Sequence, residues 1–167
     1  MSDPTRIDIK FDPTVQRMSG YARHGNTPFD VPFISKITDN LWQGGCADGL
    51  ILPEFIDYVV SLYPWEKYVI NHDAGRVEIR MYDSEDQGFD QVREIAKTVN
   101  EKRKFGTVLV HCQAGLNRSS LIAAMALILD GFRPEDAIRL IRENRSPACL
   151  CNRIFEDWLM MQETSNE

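Results

Sequence analysis

Long apolar runs are scarce in this 167-residue sequence. The longest, Leu121 to Leu129, falls well short of the roughly 20 residues that a membrane-spanning helix needs. The first residues, Met1-Ser2-Asp3-Pro4-Thr5-Arg6, lead into no apolar segment, so no signal peptide is expected. Cysteine is sparse: Cys46, Cys112, Cys149 and Cys151 are the four, with no Cys-x-x-Cys pair. A chain of this size builds its core without disulfides, and a reducing cytoplasm is the expected location. Positive charge is also short. Nineteen Lys and Arg face 25 Asp and Glu, a net charge of −6. That balance disfavours a general nucleic-acid or membrane-surface role, although a local basic patch around a site stays open. Repeats and low-complexity tracts are missing too, which excludes solenoids and linkers. What remains, at 43% hydrophobic and 26% charged residues, is the composition of one soluble globular domain.

Residues 1–32 carry Pro4, Pro13, Gly20, Gly25, Pro28 and Pro32. They read as an irregular segment wrapping the domain, with a short edge strand open at Ile7, Ile9 and Phe11. A folded domain is expected over 33–167. Ile34–Ile37 and Leu41–Gln43, split by Thr38-Asp39-Asn40, read as a hairpin. Leu52–Leu62 has helical apolar spacing, with Pro53 near its start and Pro64 beyond its end. Lys67–Asn71 reads as a buried strand, and Val77–Tyr82 as a half-buried one. Phe89–Lys104 predicts an amphipathic helix with Val92, Ile95, Ala96 and Val99 inward, ended by Gly106. A strand over 107–111 precedes an all-apolar, central helix from Arg118 to Asp130. Pro134 opens a helix to Asn144, and a last helix covers Asn152–Gln162. The fold class expected is α/β, a central, mostly parallel sheet flanked by helices. The loop at 111–118 then lies at the carboxyl end of a central strand, where such sheets bind ligands.

That loop carries the chemistry: His111-Cys112-Gln113-Ala114-Gly115-Leu116-Asn117-Arg118-Ser119-Ser120. Converging loop N–H groups and a helix N-terminus make an anion site. The rigid fork of Arg118 grips two phosphate oxygens at once. The same field stabilises a thiolate, so Cys112 is the expected nucleophile, ionised at neutral pH. His111 is expected to orient the loop through its ring hydrogen bonds. Ser119 is placed to donate to the sulfur and ease its departure. Gln113, Ala114, Gly115, Leu116 and Asn117 complete the expected substrate-binding loop.

The segment resembles the phosphate-binding loop of the cysteine-dependent protein tyrosine phosphatases, and His-Cys-Gln-Ala-Gly followed by Arg-Ser is especially similar to their dual-specificity branch. Ile37 to Gly44 resembles that branch's opening hairpin. Ser146 to Phe155, with Asn152 and Phe155, resembles the approach to its last helix. The likeness spans about residues 33–162; the Trp-Pro-Asp loop of the longer, classical enzymes is missing. The resemblance implies that the domain has the phosphatase fold and hydrolyses phosphomonoesters of proteins through a phosphocysteine, without metal or cofactor. Phosphotyrosine is the implied substrate, with phosphoserine and phosphothreonine left open. It also implies a general acid, an aspartate on a loop about thirty positions before the cysteine. Asp83 is the preferred candidate and Asp86 the alternative.

Asn117 departs from the branch, where serine is usual before the arginine. Gly-x-Asn-Arg is similar to the RNA 5′-triphosphatases of the same superfamily. Those enzymes carry other residues at Gln113-Ala114 and Ser119-Ser120 and do not depend on the aspartate, so RNA ends remain the lesser alternative. A phosphoprotein-binding module without catalysis is another, disfavoured because Cys112 and Arg118 are both present. The loop's uncharged variable positions argue against highly phosphorylated lipid heads. Arg139, Arg142 and Arg145 read as a solvated helix face. Cys149 and Cys151 read as packing residues or spare thiols, with a resolving role for oxidised Cys112 open. Trp42, Trp65, Trp158, Phe105 and Phe132 read as core or rim packing, and His24 and His72 receive no role.

Overall fold

The computed structural model describes residues 12–22, 24, 26–83 and 88–163. Ile7, Ile9 and Phe11, proposed as an edge strand, lie outside them, as does Asp86. The chain begins with a two-stranded antiparallel hairpin, β1 (Arg17–Tyr21) and β2 (Pro28–Pro32). Part of the segment read as irregular is therefore regular structure. Its strands are mostly exposed, so they lack the apolar alternation that marks a half-buried strand.

The main sheet has five strands in the order β3-β4-β7-β5-β6. β3 (Ile34–Thr38) and β4 (Leu41–Gly44) form the expected antiparallel hairpin. β5 (Tyr58–Ser61), β6 (Gly75–Glu78) and β7 (Val108–His111) join them in parallel, with β7 at the centre. The helix expected over Leu52–Leu62 is not formed; its second half is strand β5. Val59 and Val60 are both fully buried, one on each face of the sheet. A strand buried on both faces reads as a continuous apolar run, which periodicity cannot separate from a helix. Lys67–Asn71 is not a strand either and contributes one bridge, Val69 to Ile51. The strand expected at Val77–Tyr82 begins two residues earlier, at Gly75. Beyond Glu78 the chain stays tied to β5 and its exit, with Ile79 N–H donating to the Ser61 carbonyl and Met81 N–H to that of Leu62.

Four helices follow the sequence pattern closely. α1 (Val92–Arg103) buries Val92, Ile95, Ala96 and Val99. α2 (Arg118–Leu129) is buried all round from Ser119 to Ile128. α3 (Pro134–Asn144) starts on its proline. α4 (Arg153–Met160) is capped by the Asn152 side chain, which accepts from Ile154 N–H. Their apolar faces gather with Val60, Val108 and Val110 on one side of the sheet. Val59 and Leu109 face the other side and are covered by loop residues such as Cys46, Leu52, Ile56 and Tyr68. Not every aromatic residue packs as expected: Phe105 is 87% exposed, whereas Trp65 is half-exposed and packs at the rim against Tyr63 and Arg80. Among the described residues, no helix is long and apolar enough to cross a membrane.

Candidate active site

β7 ends at His111, and residues 112–117 turn from the centre of the sheet into α2. The scaffold holds the turn by its carbonyls. Cys46 N–H donates to the Gln113 carbonyl (3.0 Å) and Leu150 N–H to that of Leu116 (2.8 Å). Arg145 Nη2 reaches the Ala114 carbonyl at 3.0 Å, and its Nε the Gly115 carbonyl at 2.7 Å. Gln43 Nε2 adds a second bond to the Gly115 carbonyl at 3.1 Å. In a trans peptide the following N–H points opposite to the carbonyl. Four carbonyls pulled toward the scaffold therefore turn the N–H groups of residues 114–117 to the other side. Cys112 Sγ lies on that side, 3.3 Å from Gly115 N. Gly115 has φ +74° and no room for a Cβ, which would strike the Gly44 backbone and the Arg145 guanidinium.

Cys112 is 2% exposed and opens into a cavity of about 160 Å³. The walls are the loop, Asp83, and the hairpin residues Tyr21, Ala22 and Phe29. Ser119 Oγ lies 3.5 Å from Sγ and accepts from Gln43 Nε2 at 3.1 Å. That acceptance leaves the hydroxyl proton free to point at the sulfur. Arg118 donates from Nη1 to the Met81 carbonyl at 3.1 Å and stacks over Tyr63 at 5.3 Å. Its buried Nε–H has no hydrogen-bond partner among the described residues. His111 Nδ1 meets the Cys112 carbonyl at 3.2 Å, and Tyr68 packs edge-on against its ring. Burial lowers the His111 pKa to about 4, so the imidazole is neutral near pH 7.

Asp83 reaches the same cavity from the end of the chain that follows β6. Asn117 Nδ2 donates to its Oδ2 at 3.0 Å, and Asn152 Nδ2 to its Oδ1 at 3.0 Å. His24 Nε2 lies 3.1 Å from Oδ1 and 3.2 Å from the Asp83 carbonyl oxygen. Asn117 Oδ1 accepts from Asn152 N–H at 2.9 Å.

The structure thus brings Cys112, Arg118 and Asp83 to one pocket, with Ser119 and His111 buried behind its loop. It adds residues to which the sequence alone assigned no place in the site: Gln43, Arg145, Asn152, His24 and the hairpin wall. Arg145 is not on a solvated face; it is 7% exposed and also donates to the Pro32 carbonyl and Ser35 Oγ. It caps α3 and turns inward, off the face that carries Arg139. Arg142 is also engaged, with Glu156 and the Cys149 carbonyl. A polar residue at a buried strand position, as at Gln43, was the available signal; His24 gave none. Among the described residues, none of the other thiols lines this cavity. Burial pushes Cys46 up to about 12 and also raises Cys149. Cys151 rests against Asn117, its Sγ 3.4 Å from Nδ2. A larger depression of about 570 Å³ lies beside α3 and α4, lined by residues such as Ile138, Arg139, Glu143 and Met160, with no cysteine among the described residues that line it.

A strand-loop-helix with a buried cysteine, an inward ring of N–H groups and an arginine is an arrangement chemically suited to an oxyanion. The profile of the dual specificity phosphatase catalytic domain matches residues 55–165, and the chain belongs to that family. Human protein tyrosine phosphatase type IVA 3 is 51% identical over 41 residues, 25% of this chain and 24% of the relative. The probable type IVA B enzyme of Dictyostelium discoideum is 45% identical over 49 residues, 29% of each chain. The aligned stretch thus spans about a quarter of the relatives' length. The crystal structure of human DUSP28 shares the fold, with a TM-score of 0.66 at 16% identity over 77% of this chain and 90% of that one.

Proposed function

We propose that the protein is a phosphatase that hydrolyses phosphomonoesters of proteins, phosphotyrosine first among them. The observation that carries this is the loop geometry: N–H groups turned inward around Cys112 Sγ, with the Arg118 Nε–H beside them unpartnered among the described residues. In this reading the phosphoryl oxygens occupy the ring of N–H groups and the Arg118 fork, which stabilise the charge of the transition state. Cys112 attacks phosphorus as a thiolate while the Asp83 carboxyl protonates the departing oxygen. Water then attacks the phosphocysteine, with the Asp83 carboxylate taking its proton and Ser119 donating to the departing sulfur. His111 holds the loop through its bond to the Cys112 carbonyl. The aromatic wall of Tyr21 and Phe29 above the thiol suits an aryl phosphate. A catalytic thiol needs reducing surroundings, and all four cysteines are free, so we place the protein in the cytoplasm.

The test is hydrolysis of 4-nitrophenyl phosphate with chelator present, wild type against Cys112→Ser. Turnover that survives chelation and vanishes in the variant supports the reading. Phosphotyrosine and phosphothreonine peptides and 5′-triphosphate RNA follow on the same preparation. Turnover of RNA ends alone would move the protein to the triphosphatase reading. Binding of phosphopeptides by folded protein without turnover would make it a capture module.

A further inference from the structure

The β1–β2 hairpin lies ahead of the stretch that the family profile covers, yet it is built into the site. Its register runs from Arg17 opposite Pro32 to Tyr21 opposite Pro28. Ala22 and Val31 are buried, and Phe29 packs against the main core. Arg145, which grips the phosphate loop, also grips the Pro32 carbonyl at 2.9 Å. The hairpin is thus docked through the same side chain that shapes the loop.

From the turn of this hairpin, His24 reaches Asp83, 59 residues away in sequence. Both of its contacts there, Oδ1 and the main-chain carbonyl, are acceptors. Nε2 therefore carries the ring proton and shares it between them. One donor bridging the main chain and side chain of the same residue fixes the aspartate's side-chain rotation. The carboxylate offers about four lone-pair directions. Among the described residues, Oδ1 uses two, for His24 and Asn152, whereas Oδ2 uses one, for Asn117. The oxygen with the spare lone pair is the one that accepts and releases a proton. His24 thus loads the oxygen that is not transferring and leaves Oδ2 for the leaving group.

We propose that His24 is a positioning residue for the acid–base carboxylate of Asp83, which makes the N-terminal hairpin part of the catalytic machinery. The proposal rests on the reading of Asp83 as the acid. It requires the effect of His24 to appear only where protonation of the leaving group matters.

The experiment compares phenyl phosphate, whose leaving oxygen needs a proton, with 2,4-dinitrophenyl phosphate, whose leaving oxygen does not. The proteins are wild type, His24→Ala, His24→Gln, Asp83→Asn and the double variant His24→Ala/Asp83→Asn. A general acid contributes about 10²–10⁴-fold, and misplacing such a group forfeits part of it. His24→Ala is expected to lower kcat on phenyl phosphate about tenfold, with KM changed less than about twofold and the dinitrophenyl rate held. His24→Gln, which keeps an N–H at similar reach, recovers part of the loss and serves where the alanine variant does not fold. In the Asp83→Asn background, removing His24 costs nothing further. Equal losses on both substrates, or a loss carried by KM, would overturn the positioning role. Asp83→Asn slow on phenyl phosphate beside an unaffected His24→Ala would overturn it while sparing the acid. An unaffected Asp83→Asn would overturn the acid assignment and this proposal with it.

Discussion

Replacing Arg145 with methionine tests whether the phosphate loop is shaped from outside. Methionine fills much of the arginine volume and removes the fork. Five bonds are lost: to the Gly115 carbonyl (2.7 Å), the Ala114 carbonyl (3.0 Å), the Pro32 carbonyl (2.9 Å), Ser35 Oγ (3.0 Å) and, more weakly, Met18 Sδ (4.0 Å). The Gly115 carbonyl keeps Gln43. The Ala114 and Pro32 carbonyls lose their side-chain donor, at about 1–3 kcal/mol for each buried acceptor left unsatisfied. Against that stands the cost of burying a guanidinium: burial lowers the Arg145 pKa, and methionine removes that charge. The net destabilisation is about 2–4 kcal/mol. For a chain of this size that corresponds to a Tm lower by roughly 5–15 °C. The rate should fall further than stability suggests, because the freed carbonyls no longer aim the N–H groups. Losing one such donor costs about 10²–10³ in kcat, so kcat on 4-nitrophenyl phosphate should drop about 100-fold at temperatures where the variant is folded. Arg145→Lys, with a compact ammonium in place of a planar fork, should fall between. A methionine variant with Tm within about 2 °C and kcat within about threefold of wild type would refute the argument.

Ser119→Ala should slow breakdown of the phosphocysteine more than its formation, by roughly 10–100-fold, because only the departing sulfur needs the hydroxyl proton. A burst of phenol release followed by a slow steady state checks this; equal slowing of both phases would remove Ser119 from the second step. His111 makes stability acid-sensitive. Its pKa is about 4 in the fold against an ordinary 6.5, so the unfolded chain takes up a proton first as pH falls. The contribution of the neutral ring is intact above pH 6.5 and is lost between 6.5 and about 4, by up to roughly 3 kcal/mol. Urea midpoints at pH 7 and pH 4.5 should diverge more for wild type than for His111→Gln; equal divergence would refute the assignment.

How much of this was legible in the sequence depends on how local each feature is. The phosphate loop was readable because its chemistry is contiguous from His111 to Ser120. α1 and α3 were readable because their apolar spacing and the proline at α3's start are local signals. β5 was not, because burial on both faces erases the alternation that distinguishes a strand. The hairpin was not, because its prolines and glycines also suit a loop and its strands bury little. Arg145 belongs to a spacing-three series that suggests one helix face. It lies at the helix end, where the chain turns and the series stops applying. His24 and Asp83 meet only through tertiary folding, which no local pattern records.

Asn117 shows how a departure from a family pattern acquires a reason. Read alone, it resembled the RNA triphosphatases, which do not depend on the acid. Here the same carboxamide donates to Asp83 Oδ2 and accepts from Asn152 N–H, and Asn152 in turn donates to Asp83 Oδ1. Serine is too short to make both contacts from that position. The residue that pointed away from the aspartate is thus one that holds it, and its presence needs no RNA to explain it. It also ties Asp83 to the loop that carries Cys112, so that displacement of either is felt by the other. Changing Asn117 to serine should therefore act on phenyl phosphate more than on the dinitrophenyl ester. A variant that instead gained turnover of RNA 5′ ends would return the departure to substrate choice.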